Sequence, residues 1–200
     1  MISFNKIFNE VVKNISRFPG IGKRSAERIA FSILKMKPAI VEEIAQSIKD
    51  LNKKIKPCRL CNNFSTKEVC SICSDSRRKE DVVCVVEEPT DIMAIEKTSQ
   101  YKGLYYVLLG SISPLEGVNE ESLNIGKLVN RVKKGEIKEV IISTDPDTEG
   151  ELTAQYVIQK LSRYKVKIYR IAIGVPLGTK IEYIDSATLG EALTKRQPIG

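Results

Sequence analysis

Cysteines 58, 61, 70 and 73 read C-x2-C-x8-C-x2-C, and this spacing constrains the fold more tightly than any other feature of the 200-residue chain. Two such hooks present four thiolates to one tetrahedral zinc ion, and four thiolates leave no position for water or substrate, so the metal is expected to be structural. Residues 57 to 80 are short, polar and without periodicity, so the segment draws its folding free energy from the metal. The alternatives are a redox pair or disulfides, and lasting disulfides suit an oxidising compartment. The opening stretch MISFNKIFNEVVKN has no uninterrupted apolar segment followed by a small-residue cleavage site, and the apolar runs are far shorter than a membrane span. An intracellular, cytoplasmic protein is therefore expected, and zinc is favoured over disulfides. Cys84, the fifth cysteine, falls in an apolar run and is expected to be buried.

On either side of this segment the periodicity differs. Phe4, Ile7, Phe8, Val11, Val12 and Ile15 recur at helical spacing over 3 to 16. After the turn FPGIG, Ala26, Ile29, Ala30, Ile33 and Leu34 predict a second helix ending before Pro38, and a third runs from about 39 to 54. From Val82 short apolar runs alternate with helical patterns. VVCVVE precedes a helix near 90 to 98, GLYYVLLG one near 121 to 134, and EVIIST one near 149 to 163; VKIYRIAI is a fourth strand. Such alternation predicts a parallel sheet with both faces covered, whose ligands gather beyond the carboxyl ends of its strands. The tail from 173 predicts turns, a short strand and a helix from about 188.

Charge divides the chain in the same way. Residues 1 to 80 hold 17 Lys/Arg against 8 Asp/Glu, a net +9, and residues 81 to 200 hold 15 against 17, a net −2. The first part can meet a polyanion and the second a cation, although basic helices are also commonly just solvated. In FPGIGKRSAERIA, two glycines let the backbone approach another surface, free amides open the next helix, and Lys23, Arg24 and Arg28 add positive charge. The same PGIG could be simple punctuation between helices. With Ala26 and Ile29 in place it resembles the helix-hairpin-helix motif, which implies contacts to the DNA backbone and binding independent of sequence.

VIISTDPDTEGELTA concentrates Asp145, Asp147, Glu149 and Glu151 at the end of one strand, and Glu87 ends another. If those strands adjoin, Glu87 and Asp145 share a rim. Oxygen ligands there suit magnesium, which takes one or two carboxylates and keeps several waters; acids at a helix N-terminus also serve its dipole. The pattern resembles the Toprim domain of topoisomerases and bacterial primases, with Glu87, Asp145 and Asp147 in the acidic positions and Glu149 as a further acid.

Taken in order, these parts resemble the RecR family of bacterial recombination mediators over essentially the whole chain. GSISPLEGV at 110 to 118 and RIAIGVPLGTKIEYIDSATLGEALTKR at 170 to 196 also match segments of that family. The resemblance implies a multidomain α and α/β chain: a helix-hairpin-helix DNA-binding domain over 1–54, a four-cysteine zinc finger over 55–80, a Toprim domain with a mostly parallel sheet over 81–172, and a C-terminal Walker B-like strand and helix tail for oligomerisation over 173–200. It further implies a non-enzymatic, ring-like homotetramer that encircles DNA and acts with RecO and RecF to place RecA on single strands coated by single-strand-binding protein, in the bacterial cytoplasm at the nucleoid. Arg24 and Arg28 become DNA-facing residues, joined by Lys23 where many members have proline. Glu87, Asp91 and Glu149 become contacts for RecO-type partners. Asp145-Pro146 departs from the Asn-Pro of many members, which makes the rim better suited to magnesium. The other reading is a metal-dependent Toprim nuclease with Glu87 as general acid/base. No G-x-x-x-x-G-K-[ST] loop occurs, since Ile125-Gly126-Lys127-Leu128 lacks both the earlier glycine and the hydroxyl, so ATP hydrolysis is not expected.

Overall fold

The computed structural model describes residues 6 to 172, 174 to 196 and 198. The chain divides between Ile55 and Lys56 into two compact units.

The first unit is helical: α1 (Lys6–Ile15), α2 (Lys23–Lys35) and α3 (Pro38–Lys54). The predicted start of α1 at residue 3 lies outside the described residues. Ala26 and Ala30 are buried with Val12, and Phe8, Val11, Ile15 and Ile21 pack around them. Small side chains on α2 let α1 approach closely, which is why alanine occupies the inner positions. Ile29, predicted apolar on the same helix, stays partly exposed. Pro38 opens α3 at the first helical position, where its missing N–H costs nothing. No residue of α3 is buried.

The second unit begins with a two-residue antiparallel ribbon, β1 (Lys56–Pro57) with β2 (Phe64–Ser65), inside the cysteine segment. A four-stranded sheet follows, made of β3 (Lys79–Val86), β4 (Gly103–Val107), β5 (Glu139–Ser143) and β6 (Lys167–Arg170) in the order β4-β3-β5-β6. All its neighbours are parallel. Connections run through α4 (Pro89–Lys97), α5 (Gly126–Lys133) and α6 (Thr148–Leu161). Alternation along the central β3 feeds two cores. Val83 and Val85 join Tyr106, Leu128, Val140, Ile142 and Leu161 on one face, while Cys84 and Val86 join Ile92, Tyr105 and Val107 on the other. Cys84 is thus buried as expected, and burial pushes its thiol up to about 12.

Three predicted elements differ. The helix expected over 121 to 134 starts only at Gly126, because 3-10 turns at Pro114–Glu116 and Glu120–Ser122 precede it; Gly117 closes the first at φ +75° and Asn119 caps the second by accepting the Ser122 N–H. The fourth strand stops at Arg170 instead of 173, and Ile173 lies outside the described residues. In the tail the described residues form a 3-10 turn (Ile181–Tyr183) and α7 (Ser186–Thr194) but no strand. Asp185 sets the start of α7 by accepting the Thr188 N–H at 2.9 Å, two residues before the predicted helix.

Candidate functional site

The four cysteines converge. Their sulfurs all lie within 4.8 Å of one another, close to the edge of about 3.8 Å of a tetrahedron whose zinc–sulfur bonds are about 2.3 Å. Cys58, Cys61 and Cys70 are buried and Cys73 half-buried. Backbone bonds shape the cradle: the Asn62 N–H donates to the Cys58 carbonyl at 3.0 Å, the Cys58 N–H donates to Asn63 at 2.7 Å, and the Cys70 N–H donates to the Cys58 sulfur at 3.3 Å. Hydrogen bonds from its neighbours Cys61 and Cys73 hold the Cys70 thiol down, and the same Cys61–Cys70 contact pushes Cys61 up. So tight a cluster cannot ionise all four sulfurs without a cation at its centre. The donor set fits zinc, with Cys58, Cys61, Cys70 and Cys73 as its ligands; when bound, the metal supplies a closed structural cross-link and no reactive position.

The basic hairpin is built by the turn before α2. Gly20 adopts φ +76°, and Gly22 stands at the N-cap without a side-chain cap, so the first amides of α2 remain open. Lys23, Arg24 and Arg28 are all exposed, and among the described residues none of the three forms an ion pair. A phosphate at this turn would meet backbone N–H groups and mobile cationic side chains together.

The acidic rim comes together because β3 and β5 are neighbours, with Val86 opposite Ser143. The buried Glu87 accepts the Asp145 N–H at 3.2 Å through its side chain, and its own carbonyl accepts the N–H groups of Leu109 and Gly110 at 2.9 and 3.2 Å. Burial pushes the Glu87 carboxyl up to about 7; the Asp145 N–H opposes this, and the negative charges of Asp145, Asp147 and Asp91 add to it. Asp145 and Asp147 are exposed.

The other acids are occupied locally. Asp147 caps α6 by accepting the Gly150 N–H at 2.7 Å. Asp91 completes a capping box on α4 by accepting the Glu88 N–H at 2.8 Å. Glu149 accepts the Ser113 hydroxyl at 2.5 Å, and Glu151 pairs with Arg170 at 3.1 Å. Among the described residues the four cysteines are the group of three or more acids or cysteines close enough to share an ion; Glu87, Asp145 and Asp147 do not gather into another. Glu87 and Asp145 share the rim, and the Asp147 carboxylate beside them also caps α6. Gly150 allows the close approach: a Cβ there would collide with the Asp145 carbonyl and lie 2.9 Å from the Asp145 nitrogen.

Several residues that matter here were not singled out in the sequence. Arg170 donates to the Thr144 hydroxyl at 2.9 Å, which donates to the Gly150 carbonyl at 2.8 Å. Asn62 adopts φ +64° and is buried beside the cysteines. The only local signal for Asn62 is that asparagine directly follows a C-x2-C hook and tolerates the left-handed region.

A helical unit, four clustered thiols that fit zinc and a parallel sheet with an acidic rim define a multidomain α and α/β protein. Family models agree: residues 8–51 match the RecR helix-hairpin-helix, 55–75 the four-cysteine zinc finger domain of RecR, 81–172 the Toprim domain and 174–197 the RecR C-terminal segment. Similar proteins include Recombination protein RecR of Tropheryma whipplei (strain TW08/27), 43% identical over 194 residues, covering 97% of this chain and 98% of that protein. Recombination protein RecR of Leifsonia xyli subsp. xyli is 44% identical over 193 residues, 96% of this chain and 98% of that one. That of Clavibacter michiganensis subsp. michiganensis is 42% identical over 197 residues, 98% and 99% respectively. The chain belongs to the RecR family.

Proposed function

We propose that this chain is a DNA-binding protein of recombination repair that works as a scaffold and not as a catalyst. The observation that carries the reading is the exposed trio Lys23, Arg24 and Arg28 beside the open amides of α2, a surface made for phosphates and blind to base sequence. Occupation of Asp147, Asp91, Glu149 and Glu151 in caps and pairs supports the non-catalytic part. Several copies form a ring-like clamp, a homotetramer, around DNA. Support comes from α3, where Ile40, Ile44, Ile48 and Leu51 form a stripe 42 to 62% exposed, and from the tail, where Leu177, Ile181, Tyr183 and Leu193 are exposed. RecO and RecF are the partners, with Glu87, Asp91 and Glu149 at the docking face, and the product is RecA placed on single strands freed of single-strand-binding protein. The protein acts in the bacterial cytoplasm at the nucleoid; no described helix is long and apolar enough to cross a membrane.

Replacing Arg24 and Arg28 together by alanine is expected to weaken DNA binding equally for unrelated sequences and to lower the slope of log affinity against log salt by about 1 to 2. Unchanged affinity and slope would remove these residues from the DNA face. A second reading, a magnesium-dependent nuclease, is favoured by one observation, the Glu87 carboxyl near 7, where a general acid/base works best. Supercoiled DNA incubated with magnesium or manganese is expected to stay intact; nicking abolished by Asp145→Ala would establish the nuclease instead.

A further inference from the structure

β4 is an edge strand, bonded only to β3 within the sheet, and such an edge exposes a row of N–H and C=O groups to pairing with other chains. Here its carboxyl-terminal end is closed from outside the sheet. The Val107 N–H donates to the Cys61 carbonyl at 2.8 Å, and the Val107 carbonyl accepts the Asn62 amide at 2.9 Å. One residue of β4 therefore has both outward groups taken by two consecutive residues of the cysteine knuckle, while the next N–H, that of Leu108, turns inward to Val86 at 2.9 Å. Asn62 reaches this position through its left-handed backbone, and the Lys127 ammonium donates to its side-chain oxygen at 3.2 Å, which orients the amide nitrogen toward Val107. At the other end of β4 the Gly103 carbonyl accepts from the Arg78 guanidinium at 3.0 Å. Ile72, between Cys70 and Cys73, packs against both sheet cores and the cysteine cluster.

We propose that the zinc knuckle is a metal-dependent cap on the β4 edge, with Asn62 as its positioning residue, so that metal occupancy decides whether this edge is closed or open to strand pairing. The reading rests on zinc at the four cysteines. Beyond its ligands the knuckle's apolar core is only the partly buried Leu60, Val69 and Ile72, so without the metal the Cys61 carbonyl and the Asn62 amide lose their fixed place while β3 to β6 keep theirs.

The test is hydrogen exchange by mass spectrometry on the full chain, with metal content measured on the same samples. Stripping zinc with a chelator under reducing conditions is expected to speed exchange in peptides covering 103–108 roughly tenfold, while peptides covering 79–86 and 139–143 change by less than about twofold. Asn62→Gly, which keeps the left-handed backbone but removes the amide from the Val107 carbonyl, is expected to retain one zinc per chain and to speed exchange in 103–108 less than zinc removal does, because the Val107 N–H keeps the Cys61 carbonyl. Unchanged protection of 103–108 in both samples would overturn the cap. Equal loss across all three strands would overturn it too, because the metal would then hold the whole fold. Reduced protein purified without zinc would reject the metal site itself, a failure distinct from either.

Discussion

Glu87→Gln is expected to stabilise the protein increasingly as the pH rises. The wild-type carboxyl is buried at the end of β3 and titrates near 7 in the folded protein, against about 4.5 in an unfolded chain. A carboxyl with a raised folded value binds more protons folded than unfolded between those two values, so its contribution to stability falls as the pH rises through that window. Raising the carboxyl from 4.5 to about 7 corresponds to a penalty of about 3 kcal/mol above pH 7. Part of that penalty is already present at pH 5.5, where an unfolded glutamate is ionised. Between pH 5.5 and 8.5 the linkage relation leaves a change of about 2 kcal/mol. Glutamine keeps an oxygen for the Asp145 N–H and cannot ionise, so the difference between variant and wild type should grow by that amount; other titrating groups cancel in the difference. Urea unfolding of both proteins at the two pH values, without added divalent ions, measures it. A difference independent of pH, or a Glu87 carboxyl-carbon resonance titrating near 4.5, would refute the reasoning. Repeating the comparison with magnesium tests the rim as well, since a bound cation would pull Glu87 down and flatten the difference.

Two other perturbations test neighbouring contacts. Gly150→Ala should destabilise the second unit by about 1 to 3 kcal/mol, because the added carbon overlaps the Asp145 carbonyl and backbone must move; thermal unfolding no lower than wild type would show that the α6 start can shift freely. Cys70→Ser should lose zinc as read by metal analysis, and full retention of one zinc would remove this cysteine from the ligand set.

The hooks at Cys58, Cys61, Cys70 and Cys73 were legible in the sequence because metal ligation depends on local spacing, and the sulfurs do converge. The four strands and most helices were legible because alternating and helical periodicities reflect burial on one or two faces. Asp147 was the harder case. A carboxylate before a helix can cap it and face a cation at once, and only the tertiary structure shows that this side chain meets the Gly150 N–H. The 3-10 turns before α5 were hidden because their residues carry no periodicity of their own.

By itself, then, the sequence determined the four-cysteine cluster, the basic turn and the existence of an acidic segment, since each is written in residues close together in the chain. Tertiary structure alone decided that β3 lies beside β5, so that Glu87 meets the Asp145 N–H across 58 positions, and that Asn62 meets Val107 across 45. Strand order and edge capping depend on which distant backbone groups find partners once the apolar faces are buried. No local pattern encodes that choice, because it belongs to the packed chain as a whole.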